Sequence, residues 1–193
     1  MKTIILAGGF GSRISISDND RPKPLVRIGN KPIIWHIMKS YMSYGFNDFL
    51  IAGGYKVIDI KKYFWNLELE NSDIDINFIS KKKKFILSDK FNCKMKVIDT
   101  GVKSQTGYRL KSLQNFLKND EDFMLTYGDG LSNVNIKKLI EYHKSHKKIA
   151  TMTVVNPPAR FGYLKIDKKN SSINEFQEKK SIDESWINGG FFV

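Results

Sequence analysis

Apolar residues in the first third of the chain show a strand pattern followed by a helix pattern, twice in succession. Residues 4–6 and 48–52 are short apolar runs with the length of buried strands, although such a run alone could also belong to a helix. Apolar residues at helical spacing follow each run, over residues 33–42 and 55–65, with glycines in between. A chain that reads strand, loop, helix, strand, loop, helix favours an α/β fold with a mostly parallel sheet flanked by helices.

Further strands and helices are predicted after residue 65, and residues 85–93, which have no clear pattern, are predicted to be a loop or a hairpin. No repeat or low-complexity linker interrupts the chain, so we predict a single domain over residues 1–193. The chain ends on an apolar run, whereas termini normally lie at the surface, and we expect the domain to lack its C-terminal part. Strands are predicted at 74–79, 94–99, 123–126, 150–155, 163–166, 173–178 and 187–193, and helices at 110–117 and 135–146.

Charge and cysteine content change this picture little. The net charge is +12, from 32 basic and 20 acidic residues, which raises nucleic-acid binding as one alternative. Only five of the basic residues are arginines, and the run KKKK at 81–84 is interpreted as a solvated loop or strand end. We therefore expect no nucleic-acid partner. The single cysteine, Cys93, and the lack of a signal or spanning segment predict a cytoplasmic protein with no membrane partner.

The first strand is followed by a loop with the features of a phosphate site. Its sequence, AGGFGSR at residues 7–13, has three glycines that let the backbone approach a ligand closely. Successive N–H groups in such a loop can bind an anion, and Arg13 adds a bidentate fork. Lys23 follows, framed by Pro22 and Pro24. Taken alone, the glycines could equally form a plain turn.

Two later loops also carry candidate chemistry. Residues 100–109, TGVKSQTGYR, lead into a predicted helix, where free N–H groups favour an anionic or acceptor-rich ligand. An ordinary capping loop is the alternative there. Asp129 follows the predicted strand at 123–126 and lies between two glycines, which suits a metal ligand, whereas an Asp-Gly turn is the alternative.

These motifs occur together and in order, and with them the sequence resembles the sugar nucleotidyltransferases. The similarity extends along nearly the whole chain, and the stretches IIWHIMKSY, DTGVKSQTGYRLKSL and NPPARFGYLKID resemble the cytidylyltransferase members of that family. The motifs are GGFGSR at 8–13, PKP at 22–24, GG at 53–54, TYGDG at 126–130, FGYL at 161–164, EK at 178–179 and INGGFFV at 187–193.

The resemblance implies a Rossmann-like nucleotide-diphospho-sugar transferase fold and an enzyme of polysaccharide biosynthesis. It would transfer a cytidylyl group from CTP to a sugar 1-phosphate, most simply glucose 1-phosphate, with Mg²⁺ as cofactor and release of pyrophosphate. The implied catalytic residues are Arg13, Lys23 and Asp129, with Asp129 also the metal ligand. The implied nucleotide-binding residues are Leu6, Ala7, Gly8, Gly9, Gly11, Ser12, Arg13, Lys23, Thr106, Gly107, Arg109 and Gly128. The implied sugar-phosphate residues are Tyr127, Gly162, Glu178, Lys179, Asn188 and Gly189.

The sequence also departs from the family pattern. Lys180 stands where the family often has proline, and the family's second acidic metal ligand would lie beyond residue 193. By resemblance we expect a homo-oligomer for the full-length protein. Two other readings stay open: a nucleotidyltransferase for another phosphorylated acceptor, and a nucleotide-binding relative without catalysis.

Overall fold

The computed structural model describes residues 1–10, 21–87, 91–156, 163–166, 172–177 and 186–193. Its helices are α1 (Ile33–Ser43), α2 (Val57–Trp65), α3 (Leu67–Glu70), α4 (Thr106–Ser112), α5 (Gln114–Leu117) and α6 (Ile136–His146), with a 3-10 turn at Lys23–Leu25. Its strands are β1 (Lys2–Ala7), β2 (Arg27–Ile28), β3 (Lys31–Pro32), β4 (Asp48–Gly53), β5 (Ser72–Asn77), β6 (Lys82–Leu87), β7 (Lys94–Asp99), β8 (Phe123–Tyr127), β9 (Met152–Val155), β10 (Tyr163–Ile166), β11 (Ile173–Gln177) and β12 (Ile187–Phe192).

A six-stranded sheet with the order β7-β4-β1-β8-β12-β9 organises the fold. Strands β7, β4, β1 and β8 pair in parallel, and β12 is antiparallel to both of its neighbours. The prediction of a mostly parallel sheet is therefore confirmed. Because the four parallel strands end on the same side, the loops that follow them meet at one edge of the sheet.

Helices cover both faces of this sheet, as the alternation along β1 shows. Ile5 packs with residues of α1, α2 and α6, whereas its neighbour Ile4 packs on the opposite face with Leu113, between α4 and α5. All three side chains are fully buried, and each such burial stabilises the fold by about 1.5–3 kcal/mol. The continuous apolar run of β1 is thus the consequence of burial on two faces.

Several elements differ in extent from their predictions. Helix α4 begins at Thr106 instead of residue 110, because its first turn is polar and the apolar stripe starts only one turn later. Residues 85–87, from the stretch predicted to be a loop or a hairpin, belong to β6, and β6 forms a hairpin with β5. The short β2–β3 hairpin was not predicted; it turns through Gly29, whose φ of 63° favours glycine.

Lys82, Lys83 and Lys84 are exposed on β6, as expected for a solvated strand end. Among the described residues, no helix has both the length and the apolar character needed to cross a bilayer.

Candidate active site

A cleft of about 630 Å³ lies at the carboxyl edge of the parallel strands. It is walled by the loops after β1, β7 and β8 and by the 3-10 turn at Lys23–Leu25. Its lining residues are Leu6, Ala7, Gly8, Gly9, Phe10, Lys23, Pro24, Val102, Lys103, Ser104, Gln105, Thr106, Arg109, Tyr127, Gly128, Asp129 and Asn188.

Most of the predicted site residues that the structure describes line this cleft. Gly107 and Gly189 do not, although both are neighbours of residues that do. Six predicted residues lie outside the described part of the chain, so their roles stay predictions: Gly11, Ser12, Arg13, Gly162, Glu178 and Lys179.

The start of the glycine loop is held against the end of β8. The backbone N–H of Gly128 donates to the carbonyl oxygen of Leu6 at 2.8 Å. A Cβ at position 128 would lie 3.0 Å from that oxygen and 3.1 Å from Cγ of Pro24. Glycine is thus favoured at this position because backbone and proline ring approach it closely.

Lys23 and Asp129 are brought together in the cleft from two different loops. The Nζ atom of Lys23 lies 3.6 Å from Oδ2 of Asp129, and their side chains are 19% and 41% exposed. The 3-10 turn that starts at Lys23, after Pro22, sets the position of the lysine. Both side chains are open to the cleft. A cation there can neutralise a polyphosphate directly, and a carboxylate can do so by holding a metal ion.

Asp129 also fits the single-carboxylate part of a magnesium site. No group of three His, Cys, Asp or Glu side chains close enough to hold a metal occurs in the described ranges. Mg²⁺, however, commonly takes one or two protein carboxylates and completes its shell with waters and substrate phosphates. The exposed carboxylate of Asp129, in the same cleft as the start of the glycine loop, agrees with such a shared site.

Tyr127 and Asn188, which are 61 residues apart, form a polar pair on the β8–β12 side of the cleft. The amide Nδ2 of Asn188 donates to Oη of Tyr127 at 3.1 Å, and its Oδ1 accepts from the N–H of Gly190 at 2.7 Å. The ring of Tyr127 packs edge-on against Phe192, with 6.0 Å between ring centroids. The asparagine is therefore oriented at both ends, and its exposed amide faces solvent in the cleft.

Gly189 has a structural explanation of its own. A Cβ there would lie 2.8 Å from Oγ1 of Thr153, on the neighbouring strand β9. Glycine at this position lets β12 and β9 approach each other, whatever the nearby cleft binds.

Arg109 is buried, and the protein itself uses its guanidinium. The side chain is 5% exposed and donates hydrogen bonds to five oxygen atoms of the loops after β1, β4 and β7. Burial lowers the pKa of Arg109 from its ordinary value, and the nearby Asp99 carboxylate acts in the opposite direction. An arginine retains its charge under such a shift, so a buried cation lies beneath the cleft.

Sequence reasoning missed several cleft residues. Lys103 and Gln105 line the cleft from the polar loop at 100–109, which the sequence marked as a ligand loop without singling them out. Phe10 also lines the cleft, and its ring centroid lies 5.3 Å from that of Tyr55. The available sequence signal for Phe10 was an aromatic residue between two glycines, and in the structure its side chain is largely exposed.

Comparison with known proteins agrees with this geometry. The sequence profile of the family described as Nucleotidyl transferase matches residues 2–193. The glucose-1-phosphate cytidylyltransferases of Salmonella typhimurium and Salmonella typhi are each 45% identical to the chain, over 100% of its length and 74% of theirs. A crystal structure of UDP-glucose pyrophosphorylase complexed with UDP-glucose superposes with a TM-score of 0.61 at 16% identity. That alignment covers 99% of this chain and 74% of the other, and it shows that the fold is shared.

Proposed function

The chain belongs to the nucleotidyl transferase family, and on that premise we propose that it transfers a cytidylyl group from CTP to glucose 1-phosphate. The products are CDP-glucose and pyrophosphate. The identity of 45% over the whole chain supports the choice of base and sugar. The observation that carries the reaction type is the Lys23–Asp129 pair, which lies in one cleft with the glycine loop and the Tyr127–Asn188 pair.

The reaction is an in-line displacement at phosphorus. An oxygen of the sugar phosphate attacks the α-phosphorus of CTP, a new P–O bond forms, and the bond to the β-phosphate oxygen breaks to release pyrophosphate. Such a transfer needs little covalent chemistry from the protein, since positioning and neutralisation of charge lower the barrier.

The nucleotide phosphates have a natural place along the glycine loop. In this proposal, the backbone at Gly8 and Gly9, together with Gly11, Ser12 and Arg13, holds the β- and γ-phosphates. Lys23 donates to the α-phosphate oxygens, where negative charge builds up during attack. A cation aimed at that position contributes more in the transition state than in the bound substrate, so it raises kcat.

Asp129 would supply a protein carboxylate for Mg²⁺. When bound, the ion neutralises phosphate oxygens and orients them for attack. The ion pair between Lys23 and Asp129 would keep both groups at the position proposed for the reacting phosphate.

The two ends of the substrates are assigned to opposite walls. Thr106 and Gly107, with the adjacent loop residues Lys103 and Gln105, are proposed to contact the base and position the nucleotide. The oriented amide of Asn188 is proposed to bind sugar hydroxyls, and the hydroxyl of Tyr127 is proposed to hold that amide in the sugar site. Glu178 and Gly162 would complete the sugar site, and Lys179 would bind the sugar phosphate.

The setting of the enzyme follows from the same proposal. CDP-glucose is an activated sugar, and its consumption by polysaccharide biosynthesis is the use we propose. A cytoplasmic location is consistent with the single cysteine, because disulfides are rare there. We also propose that the full-length protein is a homo-oligomer.

The test is pyrophosphate release with glucose 1-phosphate and Mg²⁺, using CTP, UTP, dTTP and ATP in parallel. We expect release with CTP to exceed release with each other nucleotide at least tenfold and to stop on chelation of the metal. Release with a different nucleotide would overturn the base assignment. Full activity with another sugar phosphate and none with glucose 1-phosphate would overturn the acceptor. If no pair of substrates releases pyrophosphate but calorimetry shows that CTP binds, the protein is a nucleotide-binding relative without catalysis.

A further inference from the structure

Arg109 lies where the carboxyl ends of three parallel strands meet. Its Nη2 donates to the carbonyl oxygen of Gly8, in the glycine loop, at 2.9 Å and to that of Val102 at 3.2 Å. Its Nη1 donates to the carbonyl oxygens of Gly53 at 3.0 Å and Gly101 at 2.7 Å. Nη1 also donates to the hydroxyl oxygen of Thr100 at 2.7 Å. One guanidinium thus joins the ends of β1, β4 and β7.

The number of acceptors matters for what else this group can bind. The two Nη atoms of an arginine carry four N–H bonds, and here they face five oxygen atoms. Because these N–H groups are already engaged, Arg109 has no free Nη donor to offer a nucleotide phosphate or base.

Two glycines provide the space for this side chain. A Cβ on either Gly8 or Gly54 would overlap the guanidinium of Arg109, and Nη1 is the nearest atom in both cases. Gly54 does not line the cleft, and its φ lies outside the left-handed region, so its backbone is one that alanine adopts readily. The buried arginine is therefore a sufficient reason for glycine at position 54.

We propose that Arg109 is a positioning residue that sets the separation between the glycine loop and the loop at 101–105, and thereby the affinity for the nucleotide. The proposal rests on the function proposed above. Both loops line the cleft, and within the described part of the chain the side chain of Arg109 hydrogen-bonds to both. Its effect on substrate passes through the loops that it holds. Lysine, with one compact ammonium and no planar fork, lacks the geometry to replace it.

The test uses Gly54→Ala, which disturbs the guanidinium from outside the cleft, together with Arg109→Ala, Arg109→Lys and the double variant Gly54→Ala/Arg109→Ala. We expect each single variant to raise KM for CTP about tenfold or more, since two walls of the nucleotide site lose their common anchor. KM for glucose 1-phosphate should stay within about twofold, because Tyr127 and Asn188 of the proposed sugar site lie on the β8–β12 side. Lys111→Ala, which removes an exposed cation from the same helix, is the matched control and should match the wild type.

The double variant gives the sharpest result. Once the guanidinium is gone, a Cβ at position 54 has nothing to overlap, so the double variant should be no worse than Arg109→Ala. Circular dichroism at the assay temperature should show that each variant is folded. Additive effects of the two substitutions on KM for CTP would overturn the proposal. Equal changes in both KM values would do the same, as would a lowered Tm with unchanged nucleotide affinity.

A wrong assignment of the proposed function would give a different experimental result from a wrong assignment of Arg109. In that case the wild type would release no pyrophosphate from CTP and glucose 1-phosphate. The role of Arg109 would then be tested by calorimetric titration of the same variants with CTP, UTP, dTTP and ATP. Weakened binding in both single variants, with no further loss in the double variant, would support the positioning role. Unchanged binding of every nucleotide, or no binding by the wild type itself, would overturn it.

Discussion

Replacing Tyr127 with phenylalanine isolates one contact of the proposed sugar site. The substitution removes the hydroxyl that accepts from Nδ2 of Asn188 at 3.1 Å and leaves the ring that packs against Phe192. Gly190 still holds the other end of the asparagine amide. The amide therefore loses one of its two anchors, and its orientation toward the sugar becomes less defined.

The expected magnitude follows from the exposure of this pair. A neutral hydrogen bond contributes about 0.5–1.5 kcal/mol net, and water replaces an exposed one easily, so the lower part of the range applies. A loss of about 0.7 kcal/mol corresponds to roughly a threefold change in an equilibrium constant. We expect KM for glucose 1-phosphate to rise about threefold in Tyr127→Phe, with KM for CTP unchanged.

Steady-state pyrophosphate release, with each substrate varied in turn, measures both constants. Tyr142→Phe, a substitution of the same kind on the exposed side of α6, serves as the matched control. Asn188→Ala should raise KM for glucose 1-phosphate further, and Tyr127→Phe should add little in that background because its partner is already absent. The reasoning is refuted if Tyr127→Phe raises KM for CTP as much as KM for the sugar phosphate, or if the two substitutions add fully.

Four further predictions address the catalytic pair and the rest of the fold. Lys23→Ala should lower kcat about 100-fold or more with a small change in KM for CTP, since its charge is aimed at the reacting phosphate; an equal fall in affinity would assign it to ground-state binding. Asp129→Asn should abolish Mg²⁺-dependent turnover, as measured by magnesium titration, and an unaltered titration would remove Asp129 from the metal site. Thr151→Val should lower the free energy of unfolding, measured by urea denaturation, by about 1–3 kcal/mol. The reason is that Nδ1 of buried His143 loses its hydrogen bond with Oγ1 of Thr151, which is 2.9 Å long. Burial raises the pKa of Cys93 to about 11, so its thiol should react slowly with a disulfide reagent at pH 8 and rapidly in denaturant; fast reaction of the native protein would contradict this.

The spacing of apolar residues was sufficient to predict those strands and helices in which buried and exposed positions alternate regularly. The alternating strand predicted at 94–99 was found as Lys94–Asp99, and the apolar stripe at 33–42 lies within the helix Ile33–Ser43. Helix α4 shows where the pattern stops being informative. Its first turn is polar, and its one buried side chain there is Arg109, which a hydrophobic stripe does not reveal.

The sequence by itself determined most of the strands and helices and the parallel character of the sheet, although not the β2–β3 hairpin. These follow from periodicity, which acts over a few neighbouring residues, whereas the loops of the candidate site were singled out by their glycines together with the family resemblance. Only the tertiary structure decided that Lys23 lies beside Asp129, that Tyr127 meets Asn188, and that Arg109 points into the protein. Each of these contacts depends on packing between segments far apart in the chain, and side-chain direction at such a contact is set by the space and acceptors that the other segments provide.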